Sequence, residues 1–183
     1  ISLLESVVSN AERRGLMLGE ERITVRPVDF QQAISAVTGK VELVYQGEQE
    51  GAQNVARHLV GKGLKRVFER YLPDPNEGGG EGEDVFGAYS KIINHFNGGS
   101  KVDLADVEPT KDVEKKLLAI PDLKRLAEQH LELADGDLEL TPAMEFVLEG
   151  LHQSRMLGKD DLDGRVNYYD ALGDLMSDIE EKM

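Results

Sequence analysis

The chain's capacity for chemistry rests on four histidines, 35 Asp and Glu residues and no cysteine in 183 residues. His58, His95, His130 and His152 never stand four apart, the spacing by which two imidazoles on one helical face hold a metal, and no His-Glu-x-x-His occurs. His130 falls on an apolar helical face, which suits a hydrogen-bonded core residue. Between Lys159 and Asp170, Asp161, Asp163 and Gly164 take the third, fifth and sixth places of an EF-hand loop. Lys159 stands where the first carboxylate ligand belongs, and Asp170 where a longer bidentate glutamate is usual. The segment therefore reads as an acidic loop between helices. A phosphate-binding loop needs Gly-Lys followed by a hydroxyl residue, but Gly39-Lys40 is followed by Val41 and Gly61-Lys62 by Gly63. Gly78-Gly79-Gly80 lies among glutamates that repel phosphate. No serine sits in Gly-x-Ser-x-Gly. We assign no catalytic, cofactor-binding or metal-ligating residue, and expect no enzyme chemistry confined to this chain.

The elements that would position any site are helical. Apolar residues make up 40% of the chain, aromatics only 5%, and tryptophan is absent. Such a core of Leu, Val, Ile and Ala suits packed helices. The absence of cysteine excludes disulfides and thiolate-held metals, and fits a reducing compartment. No apolar run approaches the roughly 20 residues of a membrane span, and no signal-peptide layout opens the chain. A cytoplasmic protein is expected. The net charge of −14 is uneven. Residues 1–72 hold 10 basic and 9 acidic side chains, whereas residues 73–183 hold 11 and 26. The acidic part would repel nucleic acid. It reads as a solubilising surface or as a docking face for a basic partner.

Leu4, Val7, Val8, Ala11, Gly15 and Leu18 fall at helical spacing almost from the first residue, so the chain is expected to continue upstream. Gly19 caps that helix. Pro27 opens a second, with Phe30, Ala33, Ile34 and Val37 on its apolar face and Gly39 at its end. Val41 to Tyr45 is a short extended candidate. The third helix carries an unbroken stripe of Ala52, Val55, Ala56, Leu59, Val60, Gly63, Leu64, Val67, Phe68 and Tyr71. That stripe is expected to be buried throughout, so that Leu64→Asp would unfold the N-terminal portion. A Pro/Gly/Glu linker spans 73–83 and divides residues 1–72 from an acidic helical region, 84–183. In that region Tyr89, Ile92, Ile93 and Phe96 mark a short helix ended by Gly98-Gly99. Val113, Leu117 and Ile120 mark the next, with Pro109 near its start. Leu123, Leu126, Ala127, His130 and Leu131 follow Pro121-Asp122. Thr141-Pro142 begins a helix burying Met144, Val147, Leu148 and Leu151. Tyr168, Leu172, Leu175, Met176 and Ile179 suggest a terminal helix. The predicted fold class is all-α.

The segment Ser6 to Glu20, centred on Asn10-Ala11-Glu12-Arg13-Arg14, resembles the lid-domain helix of magnesium-chelatase-type AAA+ ATPases. Val25-Arg26-Pro27-Val28-Asp29-Phe30 and Thr38-Gly39-Lys40-Val41-Glu42-Leu43 are similar to the next lid helix and its exit. The stretch Ala143 to His152 resembles the C-terminal helix of chelatase-like proteins in non-photosynthetic bacteria. The resemblance implies an AAA+ lid-type helical bundle followed by a C-terminal helical extension. It places the ATP and Mg²⁺ site in an upstream nucleotide domain, with none in this chain. It also implies a ring oligomer and a partner bearing a von Willebrand A-like adhesion domain, working in metal or cofactor insertion or in protein remodelling. The sensor arginine of such lids lies before Ile1, and Arg13 and Arg14 are expected to be surface or subunit-contact charges. The competing reading is a stand-alone acidic helical interaction module. Neither involves nucleic acid or a membrane.

Overall fold

The structure, a computed structural model, describes residues 2–38, 40, 51–76, 87–162 and 164–171. Local signals account for most helix ends. Helix α1 (Ser2–Leu18) stops at Gly19, whose φ of +68° is left-handed, and the Glu20 N–H closes back on the Gly15 carbonyl at 3.0 Å. Pro27 is the first residue of α2 (Pro27–Gln32), its fixed φ preset for a helical turn. A single turn, α3 (Ser35–Thr38), precedes the 20-residue α4 (Ala52–Tyr71). A 3₁₀ turn at Gly87–Tyr89 leads into α5 (Ser90–Asn97), which gives way to Gly98 and Gly99. Then come β1 (Val102–Ala105), α6 (Thr110–Leu118) directly after Pro109, and α7 (Leu123–Leu131). Helix α8 (Leu140–Gln153) starts two residues earlier than its Thr141-Pro142 pair suggests. The hairpin strands β2 (Gly158–Leu162) and β3 (Arg165–Tyr169) complete the described elements.

The architecture is mostly helical, and the all-α expectation is corrected by a three-stranded antiparallel sheet of order β1-β3-β2. Leu162 pairs with Arg165, and Gly164 between them has a positive φ (+74°) of the kind tight hairpin turns require. The acidic-loop reading of 159–170 is thereby replaced by a hairpin, which also removes the helix–loop–helix frame of an EF-hand. Tyr168, expected on a terminal helix, is buried in β3, paired with Val102 on one side and Lys159 on the other. The physical reason is period: Val166 and Tyr168 alternate inward, as do Val102 and Leu104. The Val41–Tyr45 candidate, Gly39, most of the 73–83 linker and the positions Leu172, Leu175, Met176 and Ile179 lie outside the described residues.

The core gathers on α8. Met144, Val147, Leu148 and Leu151 are fully buried against α6 and α7, as the sequence pattern predicts. Val28, Phe68 and Leu72 join the same apolar cluster. The long stripe of α4 fares differently. Ala56 and Phe68 are buried, but Leu64 is only half-buried and Leu59, Val67 and Tyr71 are exposed. Helix α4 meets α8 along a narrow seam. A side chain at Gly150 would strike the Phe68 ring, and one at Gly61 would strike Gln153, so the two glycines admit a close approach. Leu64→Asp is accordingly a surface-edge change and not the core break expected. Among the described residues, no helix is long and apolar enough to cross a membrane.

Candidate functional site

Glu145 and Glu149 are the two carboxylates of helix α8, and one turn places them on the same face, toward α2 and the sheet. Glu145 accepts the Arg26 Nε–H at 2.5 Å. The backbone N–H of Arg26 donates to Asp29 Oδ2 at 2.8 Å, and that same oxygen accepts Arg14 Nη2 at 3.0 Å. Arg14 also donates to the Thr24 carbonyl at 2.8 Å, and Asn10 to the Asp29 carbonyl at 3.3 Å. Arg14, Arg26, Asp29 and Glu145 are each no more than 3% exposed. They form a buried ionic chain running α1–α2–α8. The expectation that Arg14 is a surface charge is therefore corrected: it is drawn inside because Asp29 waits there. Arg13, one residue earlier, stays exposed, 4.0 Å from Asp106.

The second glutamate is fully hydrogen-bonded. Glu149 Oε2 accepts Lys159 Nζ at 2.8 Å and the Tyr168 hydroxyl at 3.0 Å, and Oε1 accepts Gln153 Nε2 at 2.9 Å. Burial alone would raise its pKa, but the Lys159 charge and these bonds outweigh it and hold the carboxyl below its ordinary value. At Glu145 burial prevails over the pull of Arg26 and raises the pKa. Tyr168 is pushed well above 10 by burial and by the two neighbouring glutamates. A phenol so hard to ionise, locked onto a carboxylate, is a donor and not a nucleophile. His152, lowered by burial, shares a hydrogen bond between Nδ1 and the Leu157 carbonyl at 3.1 Å. Chemically, this arrangement fastens elements together.

Beside it opens a cleft of about 940 Å³, walled by α2–α3, α4, the end of α8 and the start of β2. Of the histidines considered in the sequence, His58 and His152 line it; His95 packs edge-on against Phe96, and His130 is half-buried on α7. Gly61-Lys62-Gly63 lies inside α4, where its backbone amides are committed to the helix, so it does not fit a nucleotide phosphate. No group of three His, Asp or Glu that could hold a metal occurs among the described residues. Sequence reasoning missed Arg26, Glu145, Glu149, Lys159 and Tyr168 as a set. The available signal was two glutamates one turn apart within the apolar run of α8 from Ala143 to Leu151, since a charge in such a stripe must find a partner. No protein-family model matches the chain, nor does any curated protein or solved structure.

Proposed function

We propose that this chain is the lid and C-terminal helical part of a magnesium-chelatase-like AAA+ ATPase. It couples ATP hydrolysis in an upstream domain to metal or cofactor insertion, or to protein remodelling, with an adhesion-domain partner. Resemblance carries the family: Asn10 to Arg14 and Val25 to Phe30 read as lid helices, and Ala143 to His152 as the later helix. The observation that supports a coupling role is the buried chain Arg14–Asp29–Arg26–Glu145, which ties the two lid-like helices to α8. A lid that rocks as nucleotide binds passes its motion onward only if the extension behind it is rigidly attached. The competing reading, a stand-alone acidic interaction module, draws on the excess of acidic side chains after residue 72.

One experiment separates them. The polypeptide extended upstream of Ile1 is expected to hydrolyse ATP, while residues 1–183 alone do not. Glu145→Ala in the extended protein, which removes the acceptor of Arg26, should leave basal hydrolysis intact and weaken its stimulation by the partner. Hydrolysis by residues 1–183 alone, or an upstream sequence with no nucleotide domain, would overturn the reading.

A further inference from the structure

The cleft beside α8 is locally basic, although the chain carries a net charge of −14. Among the described residues that line it, Arg57, Lys62, Lys65, Arg155 and Lys159 stand against two carboxylates, Glu149 and Asp161. Lys159 is tied to Glu149 at 2.8 Å, and Lys65 is shared with Glu69 at 3.7 Å. Asp161 lies within electrostatic reach of Lys159 and Arg57. Positive charge therefore remains in excess around Arg57, Lys62 and Arg155, all three exposed. Phe30, Val60 and Leu64, each half-buried, add apolar lining.

The packing of α4 on α8 brings these charges to one end. Gly150 abuts Phe68 and Gly61 abuts Gln153, so the two helices run in opposite directions. Arg57, one turn before Gly61 on the same face, falls where α8 gives way to Ser154 and Arg155. The first turn of α4 lies at that end as well, and its positive dipole offsets the negative end of α8. Ser154 lines the cleft and is only 6% exposed, yet its hydroxyl has no hydrogen-bond partner among the described residues. A buried hydroxyl in that state is unfavourable, and an acceptor entering the cleft relieves it. Arg155, next to it, takes the left-handed position after α8 (φ +65°), where glycine is the unstrained residue. We propose that the cleft binds a small organic anion with an apolar body. Its carboxylate or phosphate meets Arg57, Arg155 and the Ser154 hydroxyl, and its body rests on Phe30, Val60 and Leu64. A volume of about 940 Å³ accommodates such a molecule. Nothing in this depends on an upstream nucleotide domain.

Anilinonaphthalene sulfonate, an anion on an aromatic body, is the probe for the full chain. Its fluorescence is expected to saturate at one dye per chain, with shifts of the Val60 and Leu64 methyl signals. Arg57→Gln combined with Arg155→Gln, both at exposed positions, should weaken binding about tenfold without altering the circular dichroism spectrum. Ser154→Ala should weaken the sulfonate and leave uncharged phenylnaphthylamine unaffected. Naphthoate and naphthyl phosphate, which differ only in the charged group, are then compared as competitors, and the better one names the head group. Failure of both to displace the dye would overturn the proposal. So would binding that leaves the Val60 and Leu64 methyls unmoved, or binding to which the two arginines are indifferent.

Discussion

Helices α4 and α8 lie against each other, and they could hardly be used more differently. Helix α4 is the longer, with 20 residues and ten positions that read as an apolar stripe, yet only Ala56, Gly61 and Phe68 are buried. Helix α8 has 14 residues, ten of them buried, including both glutamates. The difference lies in the number of neighbours. Among the described residues, helix α8 is surrounded by α2, α4, α6, α7 and the sheet, whereas α4 packs on α8 and α3 and touches the Gly87–Tyr89 turn through Phe68. An amphipathic stripe shows that one side of a helix can be buried. How much of it is buried depends on what the rest of the chain brings there.

Substitutions can test that contrast. The largest effect is expected at Glu145→Ala, which leaves Arg26 charged, buried and unpaired, at a cost of about 3–5 kcal/mol in denaturant unfolding. Glu145→Gln should cost much less, since an amide oxygen can still accept the Arg26 Nε–H. Equal losses for the two would mean that the ionic chain is not what joins α2 to α8. Next comes Leu148→Ala, at a fully buried position of α8, expected to cost about 2–5 kcal/mol. Its counterpart Leu59→Ala on α4, 50% exposed, should stay within about 0.5 kcal/mol. Comparable values would abolish the distinction between the two helices.

The smallest effect is a pH dependence. The Glu149 carboxyl sits below its ordinary value of 4.5 in the folded chain, so it binds its proton less readily there than when unfolded. Its contribution is therefore fully present above that ordinary value and fades as pH falls through the lower native one. Glu149→Gln should lower the Tm at neutral pH, and its deficit against the parent should shrink below about pH 4. A deficit that stays constant over the acid range would show that ionisation of Glu149 contributes nothing to stability.

Much of the helical framework is legible in the residues. Gly19, Pro27, Gly98-Gly99 and Pro109 each mark an end that the structure places within a residue or two. The buried faces of α5, α6, α7 and α8 follow the predicted spacing. The β2–β3 turn also has a local mark in Gly164, but the aspartates in the surrounding sequence mimic part of a calcium loop and mask the hairpin. By contrast, β1 finds β3 some sixty residues away, and Arg26 finds Glu145 across 119. No short-range pattern announces such pairs.

The sequence by itself determined several helix ends and which helix faces are apolar, because caps, proline and periodicity act over a few residues. It did not show that the expected Pro27–Gly39 helix breaks between Gln32 and Ser35. Only the tertiary structure decided that Arg14 goes inside while Arg13 stays out, that only Ala56 and Phe68 of the α4 stripe are fully buried, and that the two α8 glutamates meet partners from opposite ends of the chain. Those outcomes depend on which distant segments arrive together. Burying a charge is unfavourable until its counter-charge is there, and that partner is supplied by the fold and not by any neighbouring residue.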